Sequence, residues 1–128
     1  MMKNMLIVGQ SDNPGGVEAV IKRYFAFIKK DYHVDLLVFS EICYDEKYYK
    51  NNGCNIYFIR SAQFRSPLSY KKEVKKFFDK SKGMYDVLWL NCCDLANCGY
   101  IMKQAKKNGI RKRIIHAHNN QLMQTGIK

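Results

Sequence analysis

Apolar residues in this chain alternate between short continuous runs and helical stripes. Residues 4–9, Asn-Met-Leu-Ile-Val-Gly, form a short apolar run of the kind a buried strand makes. Val17, Val20, Ile21, Tyr24, Phe25 and Ile28 then recur at the three- and four-residue spacing of one helix face, which predicts a helix over 17–30. Residues 34–39 read as a second strand, 44–52 as a short polar helix ending near Gly53, and 55–60 as a third strand. Residues 68–82 carry Tyr70, Val74, Phe77, Phe78 and Ser81 on one side of a basic helix. A fourth strand over 86–90 and a helix over 95–107 follow. That helix stops at Lys106-Lys107-Asn108-Gly109, and a fifth strand covers 112–117. The last eleven residues contain no further core element.

Strictly alternating strands and helices predict an α/β domain, a Rossmann-like open parallel sheet with helices on both faces. Strands one, four and five are nearly all apolar, as strands buried on both sides are. The length, 128 residues, suits one domain with a real core. Nine Tyr and seven Phe oppose disorder. No apolar run reaches the roughly 20 residues of a spanning helix, and the N-terminal run is too short for a signal peptide. A cytoplasmic protein is the expectation.

The five cysteines, Cys43, Cys54, Cys92, Cys93 and Cys98, form no C-x-x-C pair, so no zinc site is expected and free thiols in a reducing compartment are. Charge changes the picture more. Twenty-two Lys and Arg against eleven Asp and Glu give a formal net charge of +11, which favours anionic partners without choosing among them. Six lysines fall in Tyr70–Lys82 alone. They are either the solvated face of a core helix or a contact for anionic lipid.

Ligands of open α/β sheets collect beyond the carboxyl ends of the strands. Three polar stretches lie there, 10–16, 91–94 and 116–121. Gly15 and Gly16 stand at the start of the first helix, where unpaired N–H groups and the helix dipole favour an anion. Without side chains they let a phosphate come close. Turn and capping duty explains such a pair equally well, since neither G-x-G-x-x-G nor G-x-x-x-x-G-K-[ST] is present. His116 and His118 share a strand face but lack a third metal ligand. Each is either a cleft-facing proton donor or acceptor, or a structural histidine.

"NPGGVEAVIKRYF" after the first strand and "RIIHAHNN" at the fifth resemble the N-terminal domain of family 4 retaining glycosyltransferases of the GT-B fold. The similarity spans the chain in element order and is specific in those two motifs. It implies a nucleotide-diphosphate sugar held between two Rossmann-like domains, with transfer to a glycan or lipid-linked acceptor in cell-surface polysaccharide synthesis. It implies neither a cofactor nor a metal. Carried onto this sequence, Gly15 and Gly16 would meet the donor diphosphate. His118 would line the cleft as the catalytic residue, orienting and stabilising instead of attacking. Asp12, Asn13, Asn119 and Asn120 would meet acceptor or sugar hydroxyls. Residues 1–128 would be part of the N-terminal, acceptor-side domain. The C-terminal nucleotide-sugar domain, with its acidic and basic donor motifs, has no counterpart here, so the chain alone is expected to be inactive. The resemblance also implies a location on the inner membrane face.

Two other classes compete. A basic nucleic-acid or anionic-surface module would account for the charge, yet no helix-turn-helix, zinc-finger or RNP-like signature is present, and no nucleic-acid partner is expected. A response-regulator-like or flavodoxin-like domain would need an acidic pocket or a Ser/Thr-rich phosphate loop. Only Asp12 and Asp94 are available for the first, and nothing for the second.

Overall fold

The computed structural model describes residues 2–10, 15–60, 67–92 and 95–117. Nine elements alternate along the chain: β1 (Lys3–Val8), α1 (Gly16–Ile28), β2 (Tyr32–Val38), α2 (Glu46–Asn51), β3 (Ile56–Phe58), α3 (Pro67–Lys80), β4 (Val87–Cys92), α4 (Leu95–Lys107) and β5 (Lys112–Ala117). The five strands form one sheet in the order β3-β2-β1-β4-β5, with every pairing parallel. The expected α/β class and Rossmann-like architecture are therefore present.

Parallel strands need crossover connections, and right-handed crossovers decide which face each helix covers. From β1 the chain steps outward to β2 and β3, so α1 and α2 lie on one face. It then returns past β1 to β4 and β5, so α3 and α4 lie on the other. Alternating side chains divide the core accordingly. Met5, Ile7, Val34, Leu36, Val38, Val87 and Trp89 meet Ile21 and Phe25 of α1 and Tyr49 of α2. Leu6, Val8, Leu37, Leu88 and Leu90 meet Tyr70, Val74 and Phe78 of α3 and Ile101 and Ala105 of α4. Each large side chain fully buried in this way contributes about 1.5–3 kcal/mol.

At the amino end of the sheet, one buried carboxylate joins three elements. Asp35, 2% exposed, accepts the Tyr85 hydroxyl at 2.7 Å and the Asn55 backbone N–H at 3.1 Å. His33 Nε2 lies 3.0 Å from the same carboxylate. These donors ahead of β3 and β4 offset the cost of removing the charge from water. Burial, followed by the bond to Asp35, holds the Tyr85 hydroxyl far above the ordinary tyrosine range.

Two positions of α1 differ from expectation. On α1, Tyr24 is 49% exposed, although its spacing places it in the apolar stripe. It lies edge-on to Trp89 where no described element covers the sheet. Glu18 is buried in its stead, because its carboxylate closes the start of the helix. β1 also ends one residue earlier than the apolar run, because Gly9 turns to φ +122°.

Cys43 and Cys54 are free and buried, as expected. Cys98, near the start of α4, is disulfide-bonded, which corrects the expectation of free thiols at that position. Spacing alone does not show which sulfurs the fold brings together.

Burial, the largest influence on each, pushes the Cys43 thiol up from 9.0 to about 11 and the Cys54 thiol up from 9.0 to about 12. Both stay protonated in the folded chain under conditions where the unfolded chain ionises. Their contribution to stability is complete below about pH 9 and is lost as pH rises toward 11 and 12. The urea midpoint should therefore fall through that window, by up to ~1.4 kcal/mol per pH unit for each thiol. Replacing both with alanine should lower stability at neutral pH and flatten the alkaline slope.

Candidate functional site

The sheet changes direction between β1 and β4, since β2 lies on one side of β1 and β4 on the other. Open α/β sheets bind ligands at the carboxyl ends of the strands flanking such a switch. Gly9 and Asn91 meet at this point. A Cβ on Gly9 would lie 2.4 Å from the Asn91 carbonyl oxygen. Only glycine fits the close approach and the positive φ together. Asn91 is 3% exposed, and its amide donates to the Val8 carbonyl at 3.4 Å. The two strands are thereby held together at the switch point.

Gln10 follows and is buried. Its Nε2 donates to the Tyr44 carbonyl at 2.9 Å, tying the segment after β2 to the end of β1. Its Oε1 is buried and has no partner among the described residues. Beyond it, Gly15 occupies the N-cap of α1 in an ordinary extended conformation, φ −90° and ψ −171°. Ala19 N–H donates to the Gly15 carbonyl at 3.1 Å, closing the first helical turn. Gly15 N–H donates to Glu18 Oε1, also at 3.1 Å.

This bond changes what the helix start can offer a ligand. The Glu18 carboxylate, 5% exposed, already uses one backbone donor and part of the favourable dipole. The N–H groups of Gly16 and Val17 are the next in line for an anion. Gly16 is exposed, and a Cβ there would meet nothing within 4 Å.

Beside Gly15, a pocket of about 430 Å³ runs along α1 to the segment before α2. Lys22, Arg23, Tyr44 and Tyr48 line it. Lys22 forms an ion pair with Asp45 and lies 4.9 Å from the centre of the Tyr48 ring. Its ammonium is held above the ordinary lysine value, first by that hydrogen bond. Asp45 itself is left-handed at φ 55°, a conformation aspartate tolerates better than most residues. Its carboxylate reaches α1 and does not cap α2.

His116 lies on β5 opposite Asn91 in register, with its ring stacked on Trp89 at 6.3 Å. It belongs to the wall of the sheet below the cleft. His118, Asp12, Asn13, Asn119 and Asn120 lie outside the described residues. Of the sequence-predicted site residues, Gly15, Gly16 and His116 are therefore the three whose placement is described. Gly9, Gln10 and Glu18 escaped the sequence reading. The Glu18 signal was present as an N-cap glycine with glutamate at the third helical position, a capping-box spacing. Gly9 could have been read from a lone glycine closing an apolar strand.

Among the described residues, no three His, Cys, Asp or Glu side chains gather as a metal site. No described helix is long and apolar enough to cross a membrane.

No protein-family model and no curated protein matches the sequence. Among solved structures, the chain is similar to the C-terminal domain of a hydrogenase from Pyrococcus furiosus. One crystal structure of that domain aligns with a TM-score of 0.63 at 12% identity, covering 91% of this chain and 94% of that one. A second aligns with a TM-score of 0.63 at 10% identity, covering 88% and 90%. At such identities the likeness establishes the fold alone.

The glycines at the cleft should respond oppositely to alanine. Gly9→Ala should cost about 3 kcal/mol, because a backbone contact and a positive φ are both violated. Gly16→Ala should be neutral or gain up to ~0.5 kcal/mol, because it meets open space and restricts the unfolded chain. Urea unfolding of the two variants checks both signs.

Proposed function

We propose that this chain is the acceptor-side domain of a retaining glycosyltransferase. The parent enzyme moves a sugar from a nucleotide-diphosphate sugar to a glycan or lipid-linked acceptor in cell-surface polysaccharide synthesis. This domain alone is inactive, because the donor-holding domain is a separate unit. The observation that carries the reading is Gly16, exposed at the first turn of α1 and open above its Cα, beside the switch point of the sheet. It joins the Pro-Gly-Gly-Val-Glu and His-Ala-His-Asn motifs that prompted the resemblance.

In this reading the Gly16 and Val17 N–H groups face the departing diphosphate and offset its growing charge. Glu18 fixes the loop that presents them by holding the Gly15 N–H. His118 orients the transferring sugar, while Asp12, Asn13, Asn119 and Asn120 contact hydroxyls. No residue of this chain is assigned as a nucleophile.

A second reading rests on a different surface. α3 and α4 pack side by side, with the Tyr100 hydroxyl donating to the Lys71 carbonyl at 3.1 Å. Their exposed faces carry Lys72, Lys75, Lys76 and Lys80 of α3 beside Lys103, Lys106 and Lys107 of α4. Asp79 neutralises Lys75 at 2.6 Å. This basic face suits an anionic membrane surface, where a lipid-linked acceptor would reside at the cytoplasmic side. It also suits a non-catalytic module that binds anionic surfaces.

Two assays separate these readings. In the complete enzyme, Gly16→Ala should lower kcat/KM for a nucleotide sugar at least ~10-fold without loss of folded stability. His118→Ala should reduce transfer at least as much. Failure to release nucleoside diphosphate from any nucleotide sugar would remove the transferase reading. Sedimentation with anionic and neutral vesicles at low salt should show binding to the anionic ones only. Equal binding to both, or to neither, would remove the membrane contact.

A further inference from the structure

The transfer proposed above uses the start of α1 and leaves the groove along its flank unassigned. That groove has a volume of about 430 Å³, within the range of about 300–1,000 Å³ that small-molecule sites occupy. Ala19, Lys22, Arg23 and Ala26 form its α1 side, at the i, i+3, i+4 and i+7 positions of one helix face. This face is separate from the buried stripe of Ile21 and Phe25. The two alanines leave room on either side of the cations. Tyr44 and Tyr48, flanking the start of α2, form the opposite wall.

The fold holds that wall in place. The Tyr44 carbonyl accepts from the buried Gln10 amide at 2.9 Å. The Tyr48 ring packs edge-on against Phe25, with centroids 5.9 Å apart. Asp45, between the two tyrosines, is the one residue other than glycine with a positive φ among the described residues. An aspartate at an N-cap usually accepts from the first turn of its own helix. This one makes no such bond, adopts a left-handed backbone and pairs with Lys22 instead. Lys22 is thereby fixed 4.9 Å from the centre of the Tyr48 ring, with its charge balanced. Arg23 is exposed and has no acidic partner among the described residues.

We infer that this groove binds a small organic anion, a hydroxyl-bearing ring that carries one carboxylate or phosphate, as in a sugar acid or a sugar phosphate. The planar Arg23 guanidinium matches either anion through two parallel N–H bonds. The Lys22–Asp45 pair presents a donor and an acceptor side by side, which suits neighbouring hydroxyls. The alanine methyls and tyrosine rings suit the C–H face of the ring. A bare inorganic anion would engage Arg23 and leave the rest of the lining without contact. A neutral sugar would leave Arg23 without a counter-charge. The inference rests on this groove and holds with or without the transferase reading, since binding is read without a transfer assay.

Titration of the full-length protein with glucose 6-phosphate, glucuronate, glucose and inorganic phosphate, followed through backbone amide shifts, tests this. At least one of the two sugar anions should bind ~10-fold or more tightly than both glucose and inorganic phosphate, with the shifts centred on Ala19, Arg23 and Ala26. Preference for glucose 6-phosphate assigns a phosphate, and preference for glucuronate a carboxylate. Arg23→Gln should weaken binding at least ~10-fold. Ala26→Leu fills the groove from an exposed helix position and should weaken binding as much, with the urea midpoint unchanged. Lys76→Gln, on the basic face of α3, should leave binding unchanged. The inference is overturned if none of the four probes binds, or if glucose or inorganic phosphate binds as tightly as the better sugar anion. It is overturned equally if Arg23→Gln or Ala26→Leu binds like the wild type, or if Lys76→Gln weakens binding as much as Arg23→Gln.

Discussion

β1 must satisfy neighbours on both sides, and the rest of the molecule follows from that demand. Leu6, Ile7 and Val8 are completely buried, and the strand pairs with β2 on one edge and β4 on the other. The chain can supply both neighbours only by building outward, returning across the sheet and building outward again. That return places α1 and α2 on one face and α3 and α4 on the other. It also places the switch point of the sheet between β1 and β4. Gly9 is the local condition for this arrangement, since any side chain there would strike the Asn91 backbone.

The amino and carboxyl ends of the sheet serve different physical ends. At the amino end, Asp35 gathers donors from Tyr85 and Asn55 and leaves little unsatisfied. At the carboxyl end, the Asn91 amide ties β4 to β1 through the Val8 carbonyl. Gln10 keeps a buried oxygen without a partner among the described residues, and Gly16 faces open space. Polar groups gathered but not consumed by the fold are what a binding cleft requires. Glu18 qualifies the view of the α1 start as a bare anion site. It takes the first donor for itself and so stabilises the start of the helix.

Much of the fold was legible because strand and helix periods are enforced by burial. All nine elements were readable, with α4 and β5 at their observed bounds. Errors fell where local pattern and tertiary context part. Tyr24 fits the stripe of α1 but lies over a part of the sheet that no described element covers. Glu18 is charged but buried, because its partner is a backbone N–H that composition does not reveal. The Cys98 disulfide likewise depends on proximity and not on spacing. The site was less legible than the fold. Gly15 and Gly16 announced themselves, whereas the close contact of Gly9 with Asn91 joins residues 82 positions apart and appears only once β1 and β4 are paired.

The fold is shared with a hydrogenase domain at 10–12% identity, so architecture alone cannot assign chemistry. The claim to an acceptor-side transferase domain depends on a donor-binding partner domain. The most direct measurement is to sequence the native reading frame beyond the codon for Lys128. The account predicts an in-frame continuation of a few hundred residues encoding a second α/β domain with a nucleotide-sugar pocket. A stop codon directly after Lys128 would contradict it, leaving the basic α3–α4 face as the better guide to what this chain does.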